Sequence, residues 1–407
     1  MLPLRSTFSV DFHFRTDLNP RKFLTASHLD SLRELFPKAV GVQIFVSGFL
    51  VVLFKSMVHV AEAYRTQWPL EVGSLHVVFD VMNIQLATEP VTTGFQVAVM
   101  PDAGESAGCL GLKLRMPQGQ EVITTVTHGF VKRPDPLNAL KYIGSWILSA
   151  KEALRRFRSP RPQPQAPAIG MLRKPPSGSP IGKVVWLVGG NRKIIGTITH
   201  TYDRPSRSLP YLQGYLHDLS LTTDTALPEV SSPPGYPRIT EWASYSEALS
   251  GSRVYAVRLN ASAGVWRVID GTLDTSALRN ATVCGTQYMW DTTYHTQNAC
   301  ILWRTSEPAS PADSWSGSVL CLGKPSDPTS QAIMFQNFQI PCTLHETDPR
   351  TAKQKAGIIK GDFVLPSEIR ASEILTGEGT DTWDNFNSAP MRFRDVPSEE
   401  RRSVSSP

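Results

Sequence analysis

Residues 313–320 read DSWSGSVL, and the chain runs on as CLG to residue 323. A Ser-Gly-Ser string is by itself ordinary linker composition. A linker, however, is not followed at once by an apolar, β-rich run such as SVLCLG, so the segment reads as a tight loop feeding a strand. Ser316 at the head of that strand is a candidate nucleophile, with Gly317 and Ser318 small enough to let a substrate backbone approach closely. A serine hydroxyl is too weak an acid to react unaided and needs a base beside it.

Working outward, the base and its partner are sought at other strand ends. TTVTHGF (residues 124–130) sets His128 directly after β-branched residues, flanked by Thr127 and Gly129. His200 and His295 have weaker contexts. HDLSL (residues 217–221) places Asp218 at the start of an apolar alternation, where a carboxylate is buried at a cost unless an imidazole N–H or similar donor satisfies it. Asp224 is the alternative acid in the same run.

Together these segments resemble the chymotrypsin-like (trypsin-like) serine peptidases. TTVTHGF is similar to that family's histidine strand end, HDLSL to its aspartate strand start, and SWSGSVL to its nucleophile loop, in the S-G-S form of the non-zymogen glutamyl-endopeptidase-type members. The order His, Asp, Ser is that of this superfamily and not of subtilisins or α/β-hydrolases. His128 and Asp218 stand 90 residues apart and Asp218 and Ser316 98 apart. The resemblance covers about residues 93–350. It implies an all-β, double six-stranded β-barrel with His128 and Asp218 from the first barrel and Ser316 from the second. It further implies an oxyanion hole from the backbone N–H groups of Ser314 and Ser316, and a substrate pocket including Ser310, Asp313, Phe335, Gln336 and Asn337. Ser310 at the pocket base gives no indication of Arg/Lys preference. Three positions depart from the pattern: Ser314 stands where the family usually has Gly, Trp315 where zymogen-type members have Asp, and Val319 where Pro is usual.

Around this stretch the expected organisation has four parts. Residues 1–92 form a β-rich N-terminal extension with a short helix near Ser27–Phe36. Its most apolar run, Val40–Phe54 (VGVQIFVSGFLVVLF), falls short of the roughly 20 residues a membrane span requires. With Ser47-Gly48 at its centre it reads as a buried hairpin. The first barrel occupies 93–227, opening with GFQVAVM, CLGLKLRM, the turn PQGQ and EVITTVT. It carries an inserted amphipathic helix over 136–157 and a Pro-rich insertion over 158–181. Prolines 160, 162, 164, 167, 175, 176 and 180 forbid regular structure there. PEVSSPPGYP (228–237) reads as a linker opening the second barrel, 228–350. The polar stretch 351–407 is expected to be mostly disordered.

Composition adds bounds rather than chemistry. A net charge of +5 and 19% charged residues are too mild to imply nucleic-acid binding. The local exception is 151–183, with eight Lys/Arg against the single acid Glu152. The five cysteines, 109, 284, 300, 321 and 342, include no CxxC pair, which predicts neither a zinc site nor a disulfide framework. No cofactor is implied. The N-terminus does not read as a secretory signal, so the chain is expected to be intracellular and cytoplasmic, with reduced thiols. The expected partner is a peptide or protein substrate, with no membrane span. Three readings stay open at this point: an endopeptidase acting through Ser316, a peptidase-fold binding protein without turnover (favoured by Ser314), and an anionic-surface binder using the basic segment 151–183.

Overall fold

The computed structural model describes residues 18–65, 71–82, 85–86, 96–99, 108–130, 180–187, 193–203, 216–233, 236–261, 278–291, 296–305, 315–341 and 358–377. The expected helix over 136–157 and all but the last residues of the Pro-rich insertion lie outside these. The described chain is mostly β-sheet. No helix among the described residues is long and apolar enough to cross a membrane.

The N-terminal part starts with helix α1 (Ala26–Leu35), capped where the Thr25 hydroxyl accepts from the His28 N–H. The apolar run is a hairpin, β1 (Gly41–Phe45) and β2 (Phe49–Phe54), with Phe45 opposite Phe49. Gly48 takes φ +90 in the turn, a conformation that favours glycine. The run is continuously apolar because both its faces are covered. Val42, Ile44, Leu50, Val52 and Phe54 face one core, with α1 and Phe79, while Phe45, Val51 and Leu53 face another. Helix α2 (Met57–Arg65) follows, then β3 (Glu71–Val72) and β4 (Leu75–Val81), which runs parallel to β2; β5 (Gln85–Leu86) completes this part.

Next come β6 (Gln96–Val99), β7 (Gly108–Cys109), β8 (Lys113–Arg115), β9 (Glu121–Thr125), β10 (Val184–Leu187), β11 (Lys193–Thr201) and β12 (Ser220–Thr223). The remaining strands are β13 (Val230–Ser231), β14 (Arg238–Trp242), β15 (Val254–Val257), β16 (Asn260–Ala261), β17 (Leu278–Asp291), β18 (Thr296–Thr305), β19 (Val319–Leu322), β20 (Thr329–Phe335), β21 (Phe338–Pro341), β22 (Ile358–Phe363) and β23 (Glu373–Ile374). Among the described residues they form an eight-stranded sheet, β23-β8-β9-β12-β11-β10-β6-β7, and a thirteen-stranded one. The larger sheet runs β14-β20-β19-β15-β17-β1-β2-β4-β3, and from β17 it also continues through β18, β22, β21 and β5. Neither path closes on itself. One core joins the two sheets, with Leu112, Ile123, Ile198 and Leu221 from the smaller and Tyr255, Trp303, Val319 and Ile333 from the larger.

The structure places the expected N-terminal extension within a shared sheet: β1 pairs antiparallel with β17, Gly41 opposite Met289 through Phe45 opposite Gly285, so the N-terminal strands belong to the sheet that carries the second half of the chain. Beyond 350, residues 358–377 are built into the sheets, adding β22 between β18 and β21 and β23 beside β8. Lys360 and Asp362 made β22 look solvent-exposed, yet both are buried, with the Lys360 ammonium on Gln339 Oε1 at 2.9 Å and the Trp303 indole N–H on Asp362 Oδ1 at 2.8 Å. The stretch read as a linker is likewise built in: Val230 is buried and pairs with Ala261.

The β1–β17 seam is close. A Cβ on Gly285 would stand 2.2 Å from the Ile44 carbonyl oxygen. Gly285→Ala is therefore expected to cost about 2–3 kcal/mol, the usual penalty for forcing an extra carbon into packed structure. It should lower the thermal midpoint by several degrees; an unchanged midpoint would count against this pairing.

Candidate active site

Three strand ends converge where the two sheets meet. His128 follows β9 in a single 3-10 turn (His128–Phe130), Asp218 leads into β12, and Ser316 leads into β19. β9 and β12 are hydrogen-bonded neighbours, with Ser220 opposite Thr125, which brings the residues just outside them together. The approach of the larger sheet is fixed by the backbone: the Cys109 N–H donates to the Ser316 carbonyl at 2.5 Å, and a Cβ on Gly317 would meet the Cys109 carbonyl oxygen at 2.7 Å. Only glycine, here at φ +92, fits that turn.

The side chains form a continuous relay. Ser316 Oγ lies 2.9 Å from His128 Nε2, and His128 Nδ1 lies 2.5 Å from Asp218 Oδ2. Asp218 Oδ1 accepts from the His128 backbone N–H at 2.8 Å, which orients the carboxylate in the plane the ring needs. All are buried, with relative exposure of 0% for Ser316 and 1% for both His128 and Asp218. Such burial strengthens each electrostatic contact. A hydroxyl on one imidazole nitrogen and a carboxylate on the other is an arrangement that can pass a proton from the hydroxyl to the ring. Asp218 sits at φ +51, a left-handed conformation that Asp tolerates better than most residues. Asp224 takes no part: it is exposed and accepts from the Thr225 N–H at 2.6 Å. His200 is exposed and packs on Tyr202, while His295 lies outside the described residues.

The surrounding residues divide differently from the expectation. Asn337 has its polar groups engaged around the relay. Its amide N–H donates to Asp218 Oδ2 and to the Asp218 carbonyl, each at 3.3 Å, and its Oδ1 accepts from Phe363 N–H at 2.9 Å. Its carbonyl lies 3.4 Å from Ser316 Oγ. Phe335 is a core residue, set edge-on to Trp242. Gln336 keeps the pocket role open: its backbone bonds to Gly317 and Ser318, and its buried amide has no hydrogen-bond partner among the described residues. Ser310, Asp313 and Ser314 lie outside the described residues, so of the expected oxyanion pair Ser316 alone is placed. Trp315 is buried, with the Arg258 guanidinium 4.3 Å over its ring, a cation–π contact under the nucleophile loop.

Two supporting roles were missed in the sequence: Asn337, expected in the substrate pocket, bonds to Asp218, and Asp203, just past β11, was not singled out although its carboxylate bonds to Thr127 and to the segment around Asp218. Nothing local distinguishes Asp203 from any aspartate that ends a strand.

Among the described residues no group of His, Cys, Asp and Glu side chains is placed to hold a metal ion. Cys109, Cys284, Cys300 and Cys321 are buried and form no disulfide among the described residues, and burial pushes the Cys109 thiol up to about 11. Compared with known protein families and with curated proteins, the chain matches no family model and no curated protein.

Proposed function

We propose that the chain is a serine-type endopeptidase of chymotrypsin-like architecture, its two sheets being the counterparts of that fold's two barrels. The observation that carries this reading is the unbroken Ser316–His128–Asp218 relay, assembled from three strand ends far apart in sequence. In the reaction, Ser316 Oγ attacks the carbonyl carbon of a peptide bond as its proton passes to His128 Nε2. Asp218 holds the ring by Nδ1 and stabilises the imidazolium. The C–N bond then breaks, the amine leaves with the proton from His128, and the acyl group remains on Ser316. Water, giving a proton to His128, attacks that ester and releases the acid, restoring the serine hydroxyl. The tetrahedral oxyanion is held by backbone N–H groups of the nucleophile loop, Ser316 and Ser314. Arg258 over Trp315 supplies the loop with packing where zymogen-type peptidases use an ion pair, so no proteolytic activation is required.

A second reading, a binding protein that keeps the relay without turnover, is favoured by the absence of any exposed surface on Ser316. A fluorophosphonate probe separates the two. The folded chain is expected to be labelled, with the adduct mapping by mass spectrometry to Ser316. A folded chain that stays unlabelled would favour the binding protein.

A further inference from the structure

Asp203 is buried at the end of β11, and no step above uses it. Its carboxylate gathers four successive backbone N–H groups. Oδ1 accepts from Leu216 at 3.1 Å, His217 at 2.9 Å and Asp218 at 2.6 Å, and Oδ2 accepts from Leu219 at 2.8 Å. The Thr127 hydroxyl also donates to Oδ2, and the Thr201 hydroxyl reaches the same oxygen at 3.4 Å. Thr127 directly precedes His128, and Asp218 lies within the run of four amides. One carboxylate thus grips the residue before the imidazole and the turn that carries its acid.

We propose that Asp203 is the positioning residue of the relay, locking Asp218 in its left-handed turn against His128 and adding a second negative charge behind the imidazole. This rests on reading Ser316, His128 and Asp218 as a nucleophile relay. A left-handed turn at a non-glycine residue costs roughly 1–2 kcal/mol, and four N–H groups aimed at one anion hold the chain there. The groups facing Asp203 are donors, so a proton on either oxygen would point at another hydrogen; the geometry accommodates the ionised form. Burial and the neighbouring Asp218 charge push the Asp203 carboxyl upward, and the bonds from Thr127 and the backbone N–H groups oppose that rise. Among the described residues, the titratable side chains around it are Asp218, His128 beyond it, His217 with its ring on the Val364 carbonyl, and Tyr202, whose hydroxyl donates to Glu368. A negative charge near an imidazole favours its protonated form.

Asp203→Asn in the full chain tests this, since the amide keeps the shape, removes the charge and turns one acceptor into a donor. The readouts are the titration of the His128 ring by NMR, the rate of fluorophosphonate labelling, and the thermal midpoint. Labelling is expected to slow by about tenfold or more, and the His128 titration to move down by about half a pH unit or more, as loss of a nearby anion requires. An unmoved His128 titration overturns the proposal, even if labelling slows together with a fall in the thermal midpoint, because a purely structural role would do that. If Asp203→Asn does not fold, Thr127→Val is measured instead. It strips from the carboxylate a donor that favours its ionised form, so the charge facing the relay falls and the titration should move downward; no movement overturns the proposal. A wild-type chain that takes no label while the His128 titration still falls in Asp203→Asn would remove the peptidase reading and leave this one standing.

Discussion

Ser316→Ala is expected to give a folded chain that a fluorophosphonate no longer labels. The substitution removes a single hydroxyl, bonded to His128 Nε2 at 2.9 Å and lying 3.4 Å from the Asn337 carbonyl. Losing a hydrogen bond of that kind costs about 1 kcal/mol, so the thermal midpoint should stay within a few degrees. Reactivity should fall to background, because no other hydroxyl shares the imidazole. Ser318 is the nearest rival in sequence, and its buried Oγ has no hydrogen-bond partner among the described residues. Label that persists in Ser316→Ala, or that migrates to Ser318, would defeat the assignment. The same relay predicts that His128→Ala loses nearly as much, since such groups act as a unit. Asp218→Asn should be slower by about 10⁴-fold, because the amide favours the wrong imidazole tautomer. Asp224, exposed and turned to Thr225, does not stand ready to rescue that variant.

The other large effect concerns the first ninety residues or so. A chain beginning at Thr92 should fail to fold, and so should show no labelling for reasons unrelated to chemistry. The cut removes β1, β2 and β4 from the larger sheet and takes the covering layer from Tyr288 and Trp290 on one face. On the other face it uncovers Met289, Cys300, Leu302 and Phe338. Each large apolar side chain returned to water costs about 1.5–3 kcal/mol, and a handful of them exceeds the usual 5–15 kcal/mol margin of a folded protein. The check is a thermal or denaturant transition on the 92–407 chain. A cooperative transition with labelling at the full-length rate would show that the N-terminal strands are dispensable.

What the sequence made legible was local. Val40–Phe54 announced a hairpin because a continuous apolar run with Ser47-Gly48 at its middle has few other uses, and β1 and β2 form it. His128, Asp218 and Ser316 could be picked out because each follows or precedes a short β-rich run, and the structure brings those three together. What stayed hidden depends on distant neighbours. That β1 would pair with β17 is invisible in either segment, since neither carries a local signal that names its partner. β22 was lost because Lys360 and Asp362 signal solvent until Gln339 and Trp303 are placed beside them. Asn337 was given to a pocket because its strand position was right and the direction of its side chain was not readable. Asp203 looked like one more polar strand end.

The seam between β1 and β17 also bears on how the chain comes to be folded. The hairpin leaves the ribosome early, but the strand that covers its free edge is made roughly 240 residues later, a wait of about 12–50 s at usual synthesis rates. During that interval β1 presents an unpaired, mostly apolar edge, the kind of surface that recruits other chains. Contacts so distant in sequence are slow to form even in the finished polypeptide. Yield of the native protein should therefore depend on how well that edge is shielded during translation, by a chaperone or by a lower temperature, more than on the final stability of the sheet.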